Sequence, residues 1–331
     1  MFSSKSEDMT YYLVLNHLTV RDANTISGNL IYGFPALTAI EGFVHALNRA
    51  LIQEIEDRVV DSGEIDAGEA DNHPLLEARY QSWMLVAHEY EAKVYREHSG
   101  RDYTFLQRKA PLTRTGANPP IIEEGRIDLT LSLVIEINVL ESLSETELQQ
   151  GKSIIKRWLS QSRFAGGDIE AYEDIHWLKP KEDDEQMKRE IIKQVGFGYV
   201  LCSREDLMGR LLDENPTKDA LDILLDTAKL QYEPPQDIDS RWQLKTLQQG
   251  NGWIVPLMVG YQSVSKVFEP HALKTVRMPE YPTEFVEPLY SLGQWILTYR
   301  IVSDRAKLPL SHYFWFNERE AGQYLLASPQ E

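Results

Sequence analysis

The sequence predicts an α+β fold, and three observations carry that prediction. Apolar residues alternate with polar ones at a two-residue period in 126–137, as they do on a half-buried strand. They recur at three- and four-residue spacing in 36–56, as on the buried stripe of a helix. These two kinds of segment are interleaved along the 331 residues, a length that supports a core without staples.

Residues 11–18 are apolar and β-prone and make the first strand. The polar stretch from Arg21 to Asn29 reads as a loop, and Pro35 suits the first turn of the helix that follows. Leu37, Ile40, Val44, Leu47 and Leu51 share one face of that helix, over 36–56. Strands follow at 83–96 and 102–107, then a loop with Pro111, Gly116, Pro119 and Pro120, then the alternating strand 126–137. A second helix covers 144–160, opened by a Ser144/Glu147 capping box. The glycines of Arg163-Phe164-Ala165-Gly166-Gly167 break it and lead into a short strand. The order βαββαβ is the ferredoxin-like pattern of RRM-like RNA-recognition domains. Helices are expected at 185–194, 204–214 and 218–230, the last with Leu221, Leu224, Leu225 and Ala228 at helical spacing, and two of them form an economical hairpin. A strand at 253–262 and an aromatic-rich stretch to Phe316 close the chain. The expected division is a head at 1–180, a mainly helical extension at 181–248, and a strand-rich segment at 249–331 that packs back on the head.

The net charge of −17 argues against a protein that scans free nucleic acid, because phosphate affinity comes from Lys and Arg. The acid is localised. Residues 54–71 hold eight acids against Arg58, and 169–185 hold seven against Lys179 and Lys181; both read as solvated loops. Two windows lack acids: 151–163, with Lys152, Lys156, Arg157 and Arg163, and 105–122, with Arg108, Lys109 and Arg114. A local basic track on an acidic chain suits one RNA held inside a complex. Cys202 is the only cysteine, the start of the chain has no basic-then-apolar leader, and no apolar run is long enough to span a membrane, so a reducing cytoplasm is expected.

No phosphate-loop, nucleophile-elbow or H-x-x-x-H pattern occurs, so no catalytic residue, metal or cofactor is assigned. Binding candidates are Asn24, Ser27 and Gly28 in the loop after the first strand, and Arg163, Gly166 and Gly167 at the glycine turn, where backbone N–H groups can meet a phosphate. His45 sits off the apolar face of the first helix, four residues after Glu41; a helix-surface pair is the simpler reading, and no second proton-transfer group accompanies it. Trp253, Met258 and Tyr261 read as core instead of a stacking platform.

Five segments in order resemble one family: Asp22–Ser27 with Gly33-Phe34-Pro35 and Gly42–Arg49; Pro111–Arg114 with Glu123–Arg126; Arg163–Gly167; Gly252–Pro256 with Gly260-Tyr261; and Phe285-Val286-Glu287 with Leu292–Trp295. This family is the Cas-five-like second subunit of the Csy assembly, the type I-F CRISPR surveillance complex. Its pattern continues past the tryptophan with Ser-Pro and a basic residue; here Ile296–Arg300 keeps the charge at Arg300 but lacks the proline. The resemblance implies a ferredoxin-like head with a helical thumb and no nuclease activity. It implies binding of the 5′ handle of the CRISPR RNA, pairing with the large Csy subunit, contact with a neighbouring backbone subunit, and target DNA engaged only indirectly. Arg114, Arg126, Arg157 and Arg300 become further candidate cations. Two alternatives stay open: a metal-independent RNA-processing endoribonuclease with His45 as base, and a protein-interaction subunit without RNA contact.

Overall fold

The computed structural model describes residues 9–62, 73–109, 111–229, 231–235, 241–245, 252–303, 308–320 and 322–329. The chain is α+β, with one large antiparallel sheet and helices on both of its faces. β1 (Met9–Asn24) leads to α1 (Leu37–Ser62); β2 (Arg79–Tyr95), β3 (Thr104–Lys109), β4 (Ile121–Glu124) and β5 (Arg126–Val139) follow. After α2 (Glu145–Leu159) come β6 (Arg163–Phe164), β7 (Gly167–Ala171), β8 (Asp174–Leu178), α3 (Asp184–Val195) and β9 (Tyr199–Ser203). Then α4 (Glu205–Glu214), α5 (Ala220–Ala228), the small strands β10 (Gln231–Glu233) and β11 (Gln243–Lys245), β12 (Trp253–Ser263) and β13 (Val286–Leu297) follow. The last elements are α6 (Thr298–Ser303), β14 (Trp315–Glu320) and β15 (Gln323–Ala327).

The strands run β14-β15-β12-β13-β9-β2-β5-β1-β7-β6, with β8 also on β1 and the β3–β4 arm leaving the end of β2. β14 returns to pair with β2 through Trp315–Trp83 and Phe316–Ser82, on the edge where β9 meets Val86 and Ala87. Six strands thereby close into a ring: β2, β9, β13, β12, β15 and β14. Closure removes two exposed edges.

The period-two pattern sorts the core into two faces. Leu13 and Leu15 of β1, Leu85 of β2, and Leu133 and Ile135 of β5 pack under α1 and α2. Their neighbours Val14, Met84, Val86 and Val134 face the other way, under α3, α6 and the 3₁₀ turn at Leu310–Tyr313. Helix α1 buries the expected stripe Leu37, Ile40, Val44, Leu47 and Leu51. Helix α2 opens on the expected capping box, with Ser144 Oγ accepting from Glu147 N–H and the Glu147 carboxylate accepting from Ser144 N–H. Helices α4 and α5 pack together over Ile254 and Leu292.

Several expectations change. The first acidic run does not start in a loop, since α1 continues through Ser62 and its remaining acids, 64–71, lie outside the described residues. The second run is no single loop: it contains most of β7, all of β8 and the first turn of α3, with Glu170 on β7, Asp174 on β8 and Asp184 and Glu185 on α3. The segment around Arg21–Asn24 finishes β1 and is no loop. In α5 the buried residues are Ile223, Leu224 and Thr227, while Leu221 and Leu225 are exposed. The strand β9 interrupts the helical stretch after residue 181 and lies between β13 and β2 in the main sheet. On the face away from α1 and α2 the centre of the sheet is covered by α3 and α6. The part left open, around Arg21, Glu89, Glu91, Asp128 and Glu170, is largely acidic.

Candidate functional site

Four of the sequence candidates meet at the N-terminal half of α1. The helix turns its apolar stripe inward, so its outer side is left to Ala36, Ala39, Gly42, His45 and Ala46. These small side chains floor a groove with two walls. On one side a cleft of about 500 Å³ is bounded by Asn24, Trp158, Arg163, Ala165 and Gly166. On the other a cleft of about 620 Å³ is bounded by Asn24, Ser27, Tyr80, Tyr261, Asn317, Arg319 and Tyr324.

The glycine turn is the tip of a hairpin and not the end of α2, which closes at Leu159. Arg163 pairs with Asp168 and Phe164 with Gly167 across β6 and β7, leaving Ala165 and Gly166 as a two-residue loop. Both have positive φ, 47° and 79°, as a type I′ turn requires, which explains the glycine at the second position. Gly167 serves a different need: a Cβ there would lie 2.6 Å from the backbone of Ala23 and Arg21. The hairpin therefore lies flat on β1, and Asn24 N–H donates to Ala165 O at 3.0 Å. Arg163 is exposed and reaches Asp168 at 3.3 Å, a pair in water that adds little to stability.

The Asn24 amide is committed to its own turn, donating to Ile26 O and accepting from Ile26 N–H, each at 3.1 Å. Ser27 bonds Ile31 O and borders the groove. Gly28 is packed under Tyr290 and Met258. Arg157 lies beside the first cleft but pairs with Glu54 at 2.9 Å, sharing that carboxylate with Arg58. Arg126, opposite Asn24 in the β1–β5 register, is turned to Glu124 and the Asp22 carbonyl. Arg114 sits at the exposed tip of the β3–β4 arm, and Arg300 lies exposed on α6, apart from the groove. The β-strand β13 runs into α6 without the missing Ser-Pro turn.

Glu41 does not pair with His45. It is 2% exposed and turned inward, where its carboxylate accepts from Tyr80 Oη at 2.7 Å, Trp83 Nε1 at 2.6 Å and Asn317 Nδ2 at 3.0 Å. Three donors from β2 and β14 thus hold one buried charge and clamp α1 to the ring. Burial first, then the bond to Glu41, pushes the Tyr80 hydroxyl far above its usual range. Burial and the same carboxylate raise Tyr324 to about 12. Both hydroxyls remain protonated at neutral pH. His45 stays exposed on α1, its ring 6.1 Å from that of Tyr80.

Tyr80, Asn317, Arg319 and Tyr324 carried no local signal in the sequence. They come together only because β14 and β15 close the ring beside α1. Of the residues read as core, Met258 is buried as expected, whereas Trp253 is half-exposed and Tyr261 borders the groove. Among the described residues no helix is long and apolar enough to cross a membrane.

The family model described as "CRISPR-associated protein (Cas_Csy2)" matches residues 13–326. A relative from Pseudomonas aeruginosa (strain UCBPP-PA14), "CRISPR-associated protein Csy2", is 29% identical over 342 aligned positions, which cover 96% of this chain and 95% of the relative.

Proposed function

The chain belongs to the Csy2 family of CRISPR-associated proteins, structural subunits of the type I-F Csy complex in antiviral defence, and from that premise we propose that it holds the 5′ handle of the CRISPR RNA without cutting it. One observation carries the reading. Asn24, Ser27, Arg163 and Gly166 come from two distant stretches of sequence and border one groove beside the small-residue side of α1. A groove floored by alanine and glycine admits a polynucleotide backbone closely. Arg163 and the exposed turn offer a cation and N–H groups to phosphate, which positions the strand. Arg114 on its arm and Arg157 are additional cations toward the same RNA.

The antiparallel order β2-β5-β1-β7 with α1 and α2 on one face supports a ferredoxin-like head of the Cas-five type for residues 1–180. The α4–α5 hairpin is the helical extension. In this reading the large Csy subunit and a neighbouring backbone subunit cover further surfaces, target DNA is met through the RNA, and the complex works in the cytoplasm.

The processing alternative gains a candidate partner for His45 in Tyr80. That hydroxyl already donates to Glu41 and is held protonated, which favours the non-catalytic reading. Arg163→Glu tests the proposal. It should weaken assembly on RNA at least tenfold at physiological salt while leaving the melting temperature unchanged. Normal assembly of the variant would remove the groove from the account.

A further inference from the structure

Three side chains line up in one row across neighbouring strands of the ring. Tyr261 of β12 is directly opposite Tyr324 of β15, and Tyr324 is directly opposite Arg319 of β14. Residues directly opposite in an antiparallel pair share a face of the sheet, with strands about 4.8 Å apart. The Arg319 guanidinium lies 5.5 Å over the Tyr324 ring, and the row faces the groove. Two aromatic rings and one planar cation in register make a π-rich surface. Facing it across about 620 Å³ are His45 and Tyr80.

The composition of this wall selects its ligand. Arg319 is its one cation among the described residues, and the buried Glu41 carboxylate lies just beneath, so a phosphate has little reason to enter. A nucleobase has reason on every side: rings to stack on, a guanidinium plane, and the Tyr324 hydroxyl, which stays protonated at neutral pH and can donate. The opposite wall has the reverse character, with Arg163 and the Gly166 turn. Between them the open side of α1 from Ala36 to Ala46 spans about 15 Å of helix axis. Resting on the RNA reading above, we infer that Tyr261, Tyr324 and Arg319 are a stacking platform that takes an unstacked base of single-stranded RNA, while its phosphate chain crosses α1 toward Arg163.

The test uses the full chain, in the co-expressed complex and alone, with synthetic single-stranded RNA of the CRISPR-repeat handle carrying 2-aminopurine at one position at a time. Stacking quenches 2-aminopurine, so the parent protein should quench one or two adjacent positions and leave the others bright. Tyr324→Leu, which keeps apolar bulk, should abolish that quench and weaken binding about ten- to a hundredfold, in the range of one base–aromatic stack. Tyr324→Phe should retain both. An abasic nucleotide at the quenched position should weaken the parent as much as Tyr324→Leu does and leave the Tyr324→Leu variant unchanged. If RNA binds and Tyr324→Leu and Tyr261→Leu behave as parent at every position, the platform is refuted and the RNA reading survives. If Tyr324→Phe loses as much as Tyr324→Leu, a hydroxyl bond and no stack is responsible, and the inference again fails. If the parent complex shows no RNA contact to this chain by crosslinking, both the inference and the RNA reading fall.

Discussion

Replacing Glu41 should be among the most damaging single changes in the protein. The carboxylate accepts from Tyr80, Trp83 and Asn317, and Trp83 is fully buried. Glu41→Ala strands the Trp83 indole N–H in the interior, while Tyr80 and Asn317 border the groove and can turn to water. A stranded buried donor costs about 1–3 kcal/mol. A net loss of about 2–3 kcal/mol is expected once the lost clamp to β2 and β14 is added. For a chain this long the loss corresponds to a fall of roughly 3–4 °C in Tm. Glu41→Gln keeps the volume but turns an NH₂ toward a donor, so about half the loss should remain. Urea unfolding followed by tryptophan fluorescence measures both. A loss under about 1 kcal/mol for Glu41→Ala would refute the clamp and, with it, the reason α1 sits where the groove needs it.

Other predictions follow from single contacts. Gly167→Ala places a Cβ 2.6 Å from the backbone of β1 and should cost at least 2 kcal/mol, roughly the price of overpacking, seen as a lower urea midpoint; an unchanged midpoint would mean the hairpin does not lie flat. His88, whose Nδ1 donates to Phe197 O at 2.7 Å, is stacked on His17 at 3.9 Å between centroids. Burial first lowers its pKa, the bond to Phe197 opposes this, and His17 adds to the lowering. A histidine lowered on folding favours the native state above the unfolded pKa of about 6.5 and loses that advantage as pH falls. Thermal stability should therefore decline between pH 7 and pH 5, with a shallower slope in His88→Gln; parallel slopes would contradict the assignment. Incubation of the purified chain with precursor CRISPR RNA should give no metal-independent cleavage; cleavage lost in His45→Ala would establish the processing alternative.

What was legible in the sequence was what local spacing controls. The α1 stripe, the Ser144 cap and the alternation in β5 obey helical or strand periods, and each fold element they imply is present. The glycine turn was legible as a break but not as a hairpin, because a glycine such as Gly166 suits a helix end as well as the second position of a type I′ loop. Charge density misled in part: acids at Glu54, Asp57, Glu170 and Asp174 were read as loop, yet they decorate one helix and two strands, whose other faces supply the burial. Long-range pairing was beyond reach. Nothing near Glu41 announces that Trp83 and Asn317 will meet it, and nothing near Tyr261 announces Tyr324 and Arg319. Those encounters depend on β14 returning to β2, a ring closure with no local sequence signature.

The central claim is that this chain holds RNA within the Csy complex. Co-expression with the type I-F operon and a CRISPR RNA, followed by native mass determination and crosslinking, tests it most directly. The account predicts one ribonucleoprotein containing this chain and the large subunit, with RNA crosslinked to peptides of the α1 groove and the Arg163–Gly167 turn. A stable monomer that ignores both RNA and partner, or an assembly whose RNA never crosslinks to this chain, would contradict it.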